Sequence, residues 1–460
     1  MFGLKVRKPT AALVGGVAIG ALLLAACGSS ESADGSSSSP AAVEASAAES
    51  TEATPDAAEA KTLTIMTSNS GKDAEAYEAV LKAFTDATGI PVVHEGTQEF
   101  ETTIIARAEG GNPPDLAEFP QSGLMKNVDE ISPMADLNQI LDMNYMKSAY
   151  PNLLFNQGTT GDGRLIGSPQ GLAVANSTIF YDPATWAQFG YEEPATWKEL
   201  LALTDQMKAD GIAPWCVTIE SGGATGWMAA DWIMDVMLQL NGPEVYDQWM
   251  AGEIKNSDPR VKAAWEEAGK ILNNEESVYG GVNRILSTSW DQQAIPMFAE
   301  PAQCGMTHLA SFAISSMPED VVADLDANLG MFFFPQFDAS AEAATVGNST
   351  YVGILADSPE ARELAKFLAT PEAFKIWSAA SPYALTYNNQ VPLETYGSAL
   401  QQNLAKAIGG KVIPNVVENA VDSFPGPVAL AYWQNLTKWI EDGGENLDER
   451  LAEIDAAWAK

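Results

Sequence analysis

Trp227 and Asp231 are the pair of side chains in this sequence whose types and spacing best suit ligand binding. They fall within residues 226–240, where large apolar residues recur at helical spacing. At about 100° per residue, Trp227 lies about 160–200° from that apolar stripe, and Asp231, four positions on, shares the face of Trp227. An indole beside a hydrogen-bond acceptor suits a pyranose, which has an apolar C–H face and a rim of hydroxyls. The alternative is that Trp227 packs against a neighbouring loop or domain and Asp231 is solvated. The stripe consists of Trp232, Ile233, Val236, Met237 and Leu240.

Side chains that carry out catalysis or hold metal ions are scarce. His94 and His308 are the only histidines, and the motifs HExxH and GxxxxGK[ST] do not occur. A glycoside hydrolase needs two carboxylates across its scissile bond, but 61 Asp and Glu residues produce many accidental pairs. The sequence therefore favours binding over catalysis, and it predicts no cofactor and no metal.

The charge balance argues against a nucleic-acid-binding protein. The formal net charge is −36, which repels phosphate backbones, and no cluster of Lys or Arg follows residue 8. We interpret the acidity as favouring solubility. With 460 residues, of which 46% are hydrophobic, the chain can form two or three domains with cores of their own.

The N-terminus, residues 1–27, has the pattern of a signal peptide. Three basic residues precede an apolar run of about 16 residues, shorter than the roughly 20 that a membrane-spanning helix needs. The run ends in the tetrapeptide LAAC at Cys27, which resembles the bacterial lipoprotein signal and implies cleavage before Cys27 and acylation of that residue. The prediction is an extracytoplasmic protein anchored to the cell membrane by lipid on Cys27. An uncleaved anchor or a freely secreted protein is the alternative.

Residues 28–60 are almost wholly small, polar or acidic and contain no aromatic residue. Such a segment cannot bury enough apolar surface to offset the entropy of ordering. We predict a disordered acidic Ser/Ala linker between the anchor and the folded body.

Strand and helix signals alternate from residue 61 onward. Good N-cap residues begin three later helices at Thr196, Asp258 and Ser358. This alternation is typical of α/β layers with mostly parallel sheets, and a body of about 400 residues exceeds what one core usually supports. The sequence therefore predicts an α/β protein with two lobes. Its first elements are strands over 63–67, 90–93 and 114–119, with a helix over 101–108 before the third strand.

Several short motifs occur in an order and spacing that resemble one known family. They are DLAE at 115–118 with QSGLM at 121–125, GDGRLIGSP at 161–169 leading to IFY at 179–181, YVGIL at 351–355, and AYW at 431–433. Over roughly 400 residues they resemble the extracellular solute-binding proteins of ABC importers, particularly the maltodextrin and α-glucoside binders.

The resemblance implies a two-lobed type II periplasmic-binding-protein-like fold with a hinge and an interlobe cleft. In that family the chain crosses between the lobes three times, here near residues 168–172, 346–351 and 388–393. The implied domains are lobe 1 over 61–170 and 347–390, and lobe 2 over 171–346 and 391–460.

The resemblance also implies candidate site residues, because this family lines its cleft with aromatic side chains from one lobe and polar groups from the other. For Trp433, the apolar spacing with Leu436 and Ile440 is equally typical of a core position. The loop after Leu116 lacks the tryptophan and aspartate often found in maltodextrin binders, so the length and linkage of the saccharide stay open. The candidates are Glu118 and Gln121 in the first lobe, Glu220, Phe312 and Trp433 in the second, and Asn69, Ser70 and Asn348 in polar loops, where they could equally make turns.

Cys216 and Cys304 are an even pair in an exported chain, once Cys27 is assigned to the signal. A disulfide between them is the natural prediction. Two separate buried thiols are the alternative.

The implied function is that of a substrate-binding lipoprotein of an ABC importer. It would bind a neutral carbohydrate, an α-linked di- or oligosaccharide, close its lobes, and deliver the ligand as a monomer to separate permease subunits in the membrane. An anionic ligand would need an arginine clamp, and Arg164, the nearest candidate, fits the turn before the first crossing better. The alternatives are a receptor for a polyol, a uronate or a β-linked sugar, a surface glycoside hydrolase, and an adhesin.

Overall fold

The computed structural model describes residues 61–381 and 383–459. The predicted signal peptide (1–27), its Cys27 and the linker (28–60) lie outside the described residues. The described chain is mixed α/β. Its strands are β1 (Leu63–Thr67), β2 (Val92–Gly96), β3 (Leu116–Phe119), β4 (Ala173–Ala175), β5 (Thr178–Tyr181), β6 (Ala213–Trp215), β7 (Cys304–His308), β8 (Gly330–Phe333), β9 (Ala344–Ser349), β10 (Tyr351–Ile354) and β11 (Asn415–Glu418).

Helices connect and cover these strands. The helices are α1 (Lys72–Thr88), α2 (Phe100–Glu109), α3 (Ser122–Ile131), α4 (Met143–Ala149), α5 (Asn152–Gly158), α6 (Pro183–Phe189), α7 (Trp197–Ala209), α8 (Trp227–Asn241), α9 (Pro243–Met250), α10 (Pro259–Leu272), α11 (Gly281–Ser287), α12 (Glu319–Ala323), α13 (Leu325–Asn328), α14 (Pro359–Leu368), α15 (Pro371–Ala380), α16 (Ala399–Ile408), α17 (Ala420–Ser423), α18 (Gly426–Glu441) and α19 (Leu447–Ala457). Short 3₁₀ turns include Gly222–Ala224, Trp290–Gln292 and Ser311–Ser316.

Local signals explain where many helices begin. Thr196 accepts a hydrogen bond from the Glu199 amide while the Glu199 side chain accepts one from the Thr196 amide, so the predicted capping box of α7 is confirmed. Asp258 and Ser358 cap α10 and α14, each followed by proline at the first helical position. These caps satisfy amide groups that a helix cannot pair internally.

The strands form three sheets. The first has the order β10-β3-β1-β2, the second β11-β9-β4 and the third β6-β7-β5-β8. We call the elements around the first sheet the first lobe and those around the other two the second lobe.

The expectation of mostly parallel sheets is wrong. β1 runs parallel to β2 and β3, but β10 is antiparallel to β3, β4 to β9, and β5 to both β7 and β8. β10 follows β9 after a single residue, Thr350, and enters the first sheet directly from the second. A strand that arrives without a crossover helix need not run parallel to its neighbours.

Two chain segments run side by side where the sheets meet. The Ser168 amide donates to the Val352 carbonyl (3.0 Å), and the Thr350 amide donates to the Leu172 carbonyl (2.9 Å). A third segment joins them, since the Ala173 amide donates to the Leu385 carbonyl (2.9 Å). These backbone bonds tie the first lobe to the second along a narrow band.

Large aromatic side chains form much of the core of the second lobe. Trp215 packs edge-on against Trp232 of α8, with ring centroids 4.7 Å apart, and both are fully buried. The β6–β7 sheet edge therefore supports α8 from behind. Within the described part of the chain, no helix combines the length and the apolar character required to cross a bilayer.

Candidate functional site

A cleft between the two lobes collects most of the predicted site residues. It encloses about 1050 Å³ of space, its open mouth included. All of the sequence-derived candidates except Glu118 and Glu220 line it: Asn69, Ser70, Gln121, Trp227, Asp231, Phe312, Asn348 and Trp433.

One side of the cleft is the aromatic wall, which we define as Trp227, Trp290, Phe312 and Trp433. The Trp227 and Phe312 rings lie 5.6 Å apart between centroids, and Trp290 stands edge-on to both at 6.3 and 5.3 Å. These contacts hold the rings without filling the cleft, since Trp227, Trp290 and Phe312 are only partly buried. Sequence reasoning missed Trp290, although an aromatic residue in the polar run STSWDQ could have suggested it.

Helix α8 places Trp227 at its first residue. Gly226 precedes it with φ 113°, and a Cβ there would meet the Trp433 carbonyl oxygen at 2.9 Å. Only glycine allows this close approach of α8 to α18. Four of the five predicted stripe residues are fully buried; Leu240 near the helix end is 37% exposed, so its assignment to the core was wrong.

Asp231 is buried beside the aromatic wall, with 2% of its surface exposed, which contradicts the solvated alternative. Its carboxyl accepts hydrogen bonds from Asn176 Nδ2 at 3.3 and 3.2 Å and from Asn419 Nδ2 at 3.5 Å. Burial, and then the negative charge of Asp422, raises the pKa of Asp231 well above that of an ordinary aspartate. The raised pKa favours the protonated form of Asp231, which can donate as well as accept a hydrogen bond.

The opposite side is the polar wall, which we define as Asn69, Ser70, Gln98, Glu101 and Gln121. Gln121 Nε2 donates to Glu101 Oε1 (2.9 Å), which leaves the buried Gln121 Oε1 without a partner. Asn69 Nδ2 is likewise buried and unpaired. Unpaired buried polar atoms are costly, so these groups favour a ligand that supplies hydrogen bonds.

Asn348 lies between the walls, on β9 beside the passage to β10. Its Nδ2 donates to Asp422 Oδ2 (2.8 Å) and to the Pro120 carbonyl (3.2 Å). It therefore links a carboxyl of the second lobe to the backbone of the first.

Glu118 and Glu220 do not line the cleft. Glu118 is buried behind it, where Thr350 Oγ1 donates to its carboxyl and burial raises its pKa. Glu220 accepts a hydrogen bond from the Gly222 amide (3.0 Å), and its carbonyl accepts one from the Trp290 amide (3.0 Å). Both glutamates hold the surrounding backbone, Glu118 at the band between the lobes and Glu220 behind Trp290.

Trp433 combines the two roles that its spacing left open. It is 4% exposed and its neighbours Leu436 and Ile440 are core residues, yet its ring lines the cleft. The Trp433 Nε1 is buried without a partner. A buried indole N–H usually finds a hydrogen-bond acceptor, so this unpaired donor is an exception.

Carboxyl groups that the sequence did not single out also line the cleft. Burial raises the pKa of Asp73 to about 6 and that of Asp422 to about 8, the second with a contribution from the negative charge of Glu101. Burial also raises the pKa of Glu101. Among the described residues that line the cleft there is no Lys, Arg or His. The cleft thus offers acceptors and protonated acids, but no cation to neutralise an anionic ligand.

Two other sequence predictions concern residues away from the cleft. Arg164 pairs with Asp129 (2.7 Å) and Asp162 (3.2 Å) in the turn before β4, as predicted from the sequence. Cys216 and Cys304 lie side by side at the β6–β7 pair, with Cα atoms 5.6 Å apart, a separation that suits a disulfide.

No group of three or more His, Cys, Asp or Glu side chains within residues 61–381 and 383–459 is arranged to hold a metal ion. The chemistry of the cleft is therefore described by its aromatic faces and hydrogen-bonding groups.

Two curated proteins are similar to almost the whole folded body. The osmoprotective compounds-binding protein GgtB of Synechocystis is 32% identical over 401 residues, covering 87% of this chain and 93% of that protein. The alpha-glucosides-binding periplasmic protein AglE of Rhizobium meliloti is 32% identical over 409 residues, covering 86% and 87%.

Solved structures confirm the fold. The bacterial solute receptor AcbH, described as preferring β-D-galactopyranose, superposes with a TM-score of 0.71 at 18% identity, over 86% of this chain and 97% of that one. The two-lobed periplasmic-binding fold predicted from the sequence is thus confirmed. The family model for bacterial extracellular solute-binding proteins matches residues 68–373. This chain therefore belongs to the extracellular solute-binding proteins of ABC transporters, a family of binding proteins, not enzymes, that act outside the cytoplasm.

Proposed function

We propose that this protein is the receptor of an ABC importer for a neutral carbohydrate, an α-linked di- or oligosaccharide, which it delivers to a membrane permease. The observation that carries this proposal is the presence, across one cleft, of the Trp227 and Phe312 rings and of two buried polar atoms without partners, Asn69 Nδ2 and Gln121 Oε1. A pyranose matches both, because its C–H face packs on an aromatic ring and its hydroxyls donate and accept hydrogen bonds.

The charges in the cleft favour a neutral ligand over a uronate or a sugar phosphate. Asp73, Glu101, Asp231 and Asp422 line it, and no basic side chain among the described lining residues could pair with an anion. The pKa of Asp422, raised to about 8, and the raised pKa of Asp231 both favour the neutral form of these acids. An anionic ligand would be desolvated without a partner, which is costly.

The α-linkage is supported by similarity. The relatives that match most of the chain are named for osmoprotective compounds and for alpha-glucosides. Both names support a small solute, and the second supports an α-linked glucose unit.

We propose that closure of the two lobes is the conformational change that signals ligand binding to the permease. The 3₁₀ turn Gly222–Ala224 of the second lobe lies against α2, where a Cβ on Gly222 would meet Glu99 Oε1 at 2.7 Å. Ser315 Oγ donates to Asp73 Oδ2 (3.4 Å) across the same gap. A ligand held by both walls favours this closed arrangement, because contacts to one lobe alone would not bias the hinge. The lobes would divide near 170, 350 and 390; the sequence predicts 346 for the second division, but β9 continues to Ser349 in the second sheet before β10 joins the first.

The attachment to the membrane is part of the proposal. Cleavage before Cys27 and acylation of that residue would anchor a monomer, with residues 28–60 as a spacer. Replacing Cys27 by alanine is expected to shift the protein from the membrane fraction to the soluble fraction; an unchanged distribution would contradict the anchor.

Calorimetric titration of the protein against matched ligands tests the ligand class. We expect heats of binding with maltose, trehalose or a related α-linked sugar, and none with glucuronate or glucose 6-phosphate. Sorbitol and cellobiose serve as polyol and β-linked comparisons. Binding only to charged solutes, only to the polyol or only to the β-linked sugar would overturn the proposed ligand class.

A further inference from the structure

A second cavity adjoins the cleft and has a different chemical character. It encloses about 1040 Å³, its open mouth included, between α2 and α3 of the first lobe and α18 of the second. It shares three lining residues with the cleft: Glu101, Gln121 and Trp433. The two cavities therefore adjoin each other at these side chains.

The buried part of this second cavity is apolar. Leu124 and Ala429 are 6% and 5% exposed, Ile105 is partly buried, and Leu430 is 45% exposed at the rim. Gly223, Gly426 and Pro427 add no polar side chain, and Asn127, which is partly buried, is the polar side chain that lies among them.

Polar side chains lie at the mouth and at the boundary with the cleft. Thr102 and Glu109 are exposed at the mouth. At the boundary, Gln121 Oε1 and Trp433 Nε1 are buried without partners. A ligand crossing the boundary would thus find one acceptor and one donor before it enters an apolar space.

We propose that this second cavity binds the apolar aglycone, an alkyl or aryl group, of a glycoside whose sugar ring occupies the cleft. The inference rests on the proposed function and deepens it. A second sugar ring would need partners for several hydroxyls, which the buried lining residues Leu124 and Ala429 cannot supply, whereas a hydrocarbon group gains from leaving water there.

The experiment compares methyl α-D-glucopyranoside, phenyl α-D-glucopyranoside and maltose by calorimetric titration of the full chain. We expect the phenyl glycoside to bind about tenfold or more tightly than the methyl glycoside, because its ring leaves water in the apolar cavity. Equal affinities for the two glycosides would overturn the aglycone site and leave the sugar site standing. The absence of binding to all three would reject both this site and the proposed α-glucoside ligand.

Variants then locate the effect. Ala106 is exposed on α2 and lines only the second cavity, so Ala106→Trp should fill it and bring the phenyl-to-methyl affinity ratio down close to one. Leu430→Asp should lower the same ratio by placing a charge among the apolar lining. The control is Ala87→Trp, at an exposed position of α1 away from both cavities. An unchanged ratio in both test variants would overturn the proposal. It would also be overturned if maltose exceeded the methyl glycoside in affinity by more than the phenyl glycoside does, and if Ala106→Trp abolished that advantage of maltose.

Discussion

The polar wall and the aromatic wall face the same cleft but are held in different ways. On the polar wall, hydrogen bonds position the residues: Gln121 Nε2 donates to Glu101 Oε1 (2.9 Å), and the backbone N–H of Asn69 donates to Thr67 Oγ1 (3.0 Å). On the aromatic wall, Trp227, Trp290 and Phe312 position one another through ring contacts.

This difference separates two kinds of contribution to binding. Ring contacts bury area with little directional requirement, so the aromatic wall supplies affinity for any ligand with an apolar face. Hydrogen bonds depend on geometry, and an unmatched buried group is costly, so the polar wall supplies discrimination. The comparison teaches that affinity and specificity can be altered separately in this cleft.

The largest effect is expected from removal of the predicted disulfide between Cys216 and Cys304, in the lobe that carries the aromatic wall. If Cys216 and Cys304 are bridged, replacing both by alanine should lower the free energy of unfolding by about 4 kcal/mol, since the bridge closes a span of 88 residues in the unfolded chain. Denaturant unfolding measures the change, and the unsubstituted protein with and without reductant is the control. Two reactive thiols in the denatured, unreduced body would refute the bridge.

Removal of aromatic faces should give the next largest effect. The double substitution Trp227→Ala and Phe312→Ala is expected to weaken sugar binding about a hundredfold, because the sugar loses the apolar surface on which it packs. Calorimetry measures the affinity, and Phe189→Ala, at a partly exposed ring away from the cleft, is the matched control. Unchanged titration heats for every carbohydrate would show that the aromatic wall does not bind the ligand.

Substitutions in the polar wall should reduce affinity less than substitutions in the aromatic wall, and they should change selectivity more. Gln121→Ala is expected to weaken binding of the preferred sugar about tenfold, the effect of losing one hydrogen bond to a buried partner. Binding of an analogue that lacks the contacted hydroxyl should change less. Gln139→Ala, at an exposed position, is the control. Equal losses for sugar and analogue would assign Gln121 a structural role only.

The last prediction concerns the pH dependence of stability and Glu418, a buried carboxyl behind the cleft. Burial, with a contribution from Asp422, raises the pKa of Glu418 from 4.5 to about 8. The folded state then binds more protons than the unfolded state between these values, so the free energy of unfolding should fall as pH rises through this window.

Glu418→Gln should therefore flatten the decline of stability between pH 5 and 8 by about 1 kcal/mol per pH unit. Denaturant unfolding at several pH values provides the measurement. Glu394→Gln, at an exposed site, is the control and should leave the slope unchanged. The same slope in both variants would contradict the proposed proton on Glu418.

Sequence reasoning found the helices with clear caps and the pair of Trp227 and Asp231. These signals are local, because a cap or a helical face depends on residues within a few positions. It missed Trp290, Asn176 and Asp422, which meet Trp227 and Asp231 only through the packing of distant segments. It also assigned Glu118 and Glu220 to the lining, whereas Glu118 accepts a hydrogen bond from the Thr350 hydroxyl and Glu220 accepts one from the Gly222 amide, both outside the lining.

The sequence by itself determined the alternation of strands and capped helices, the family and the aromatic character of the site, since periodicity, composition and motif order are properties of the chain. Only the tertiary structure decided which carboxyls are buried deeply enough for their pKa to rise, how the sheets mix parallel and antiparallel strands, and that an apolar cavity adjoins the cleft. Burial and cavities arise between elements far apart in sequence, so no local pattern encodes them.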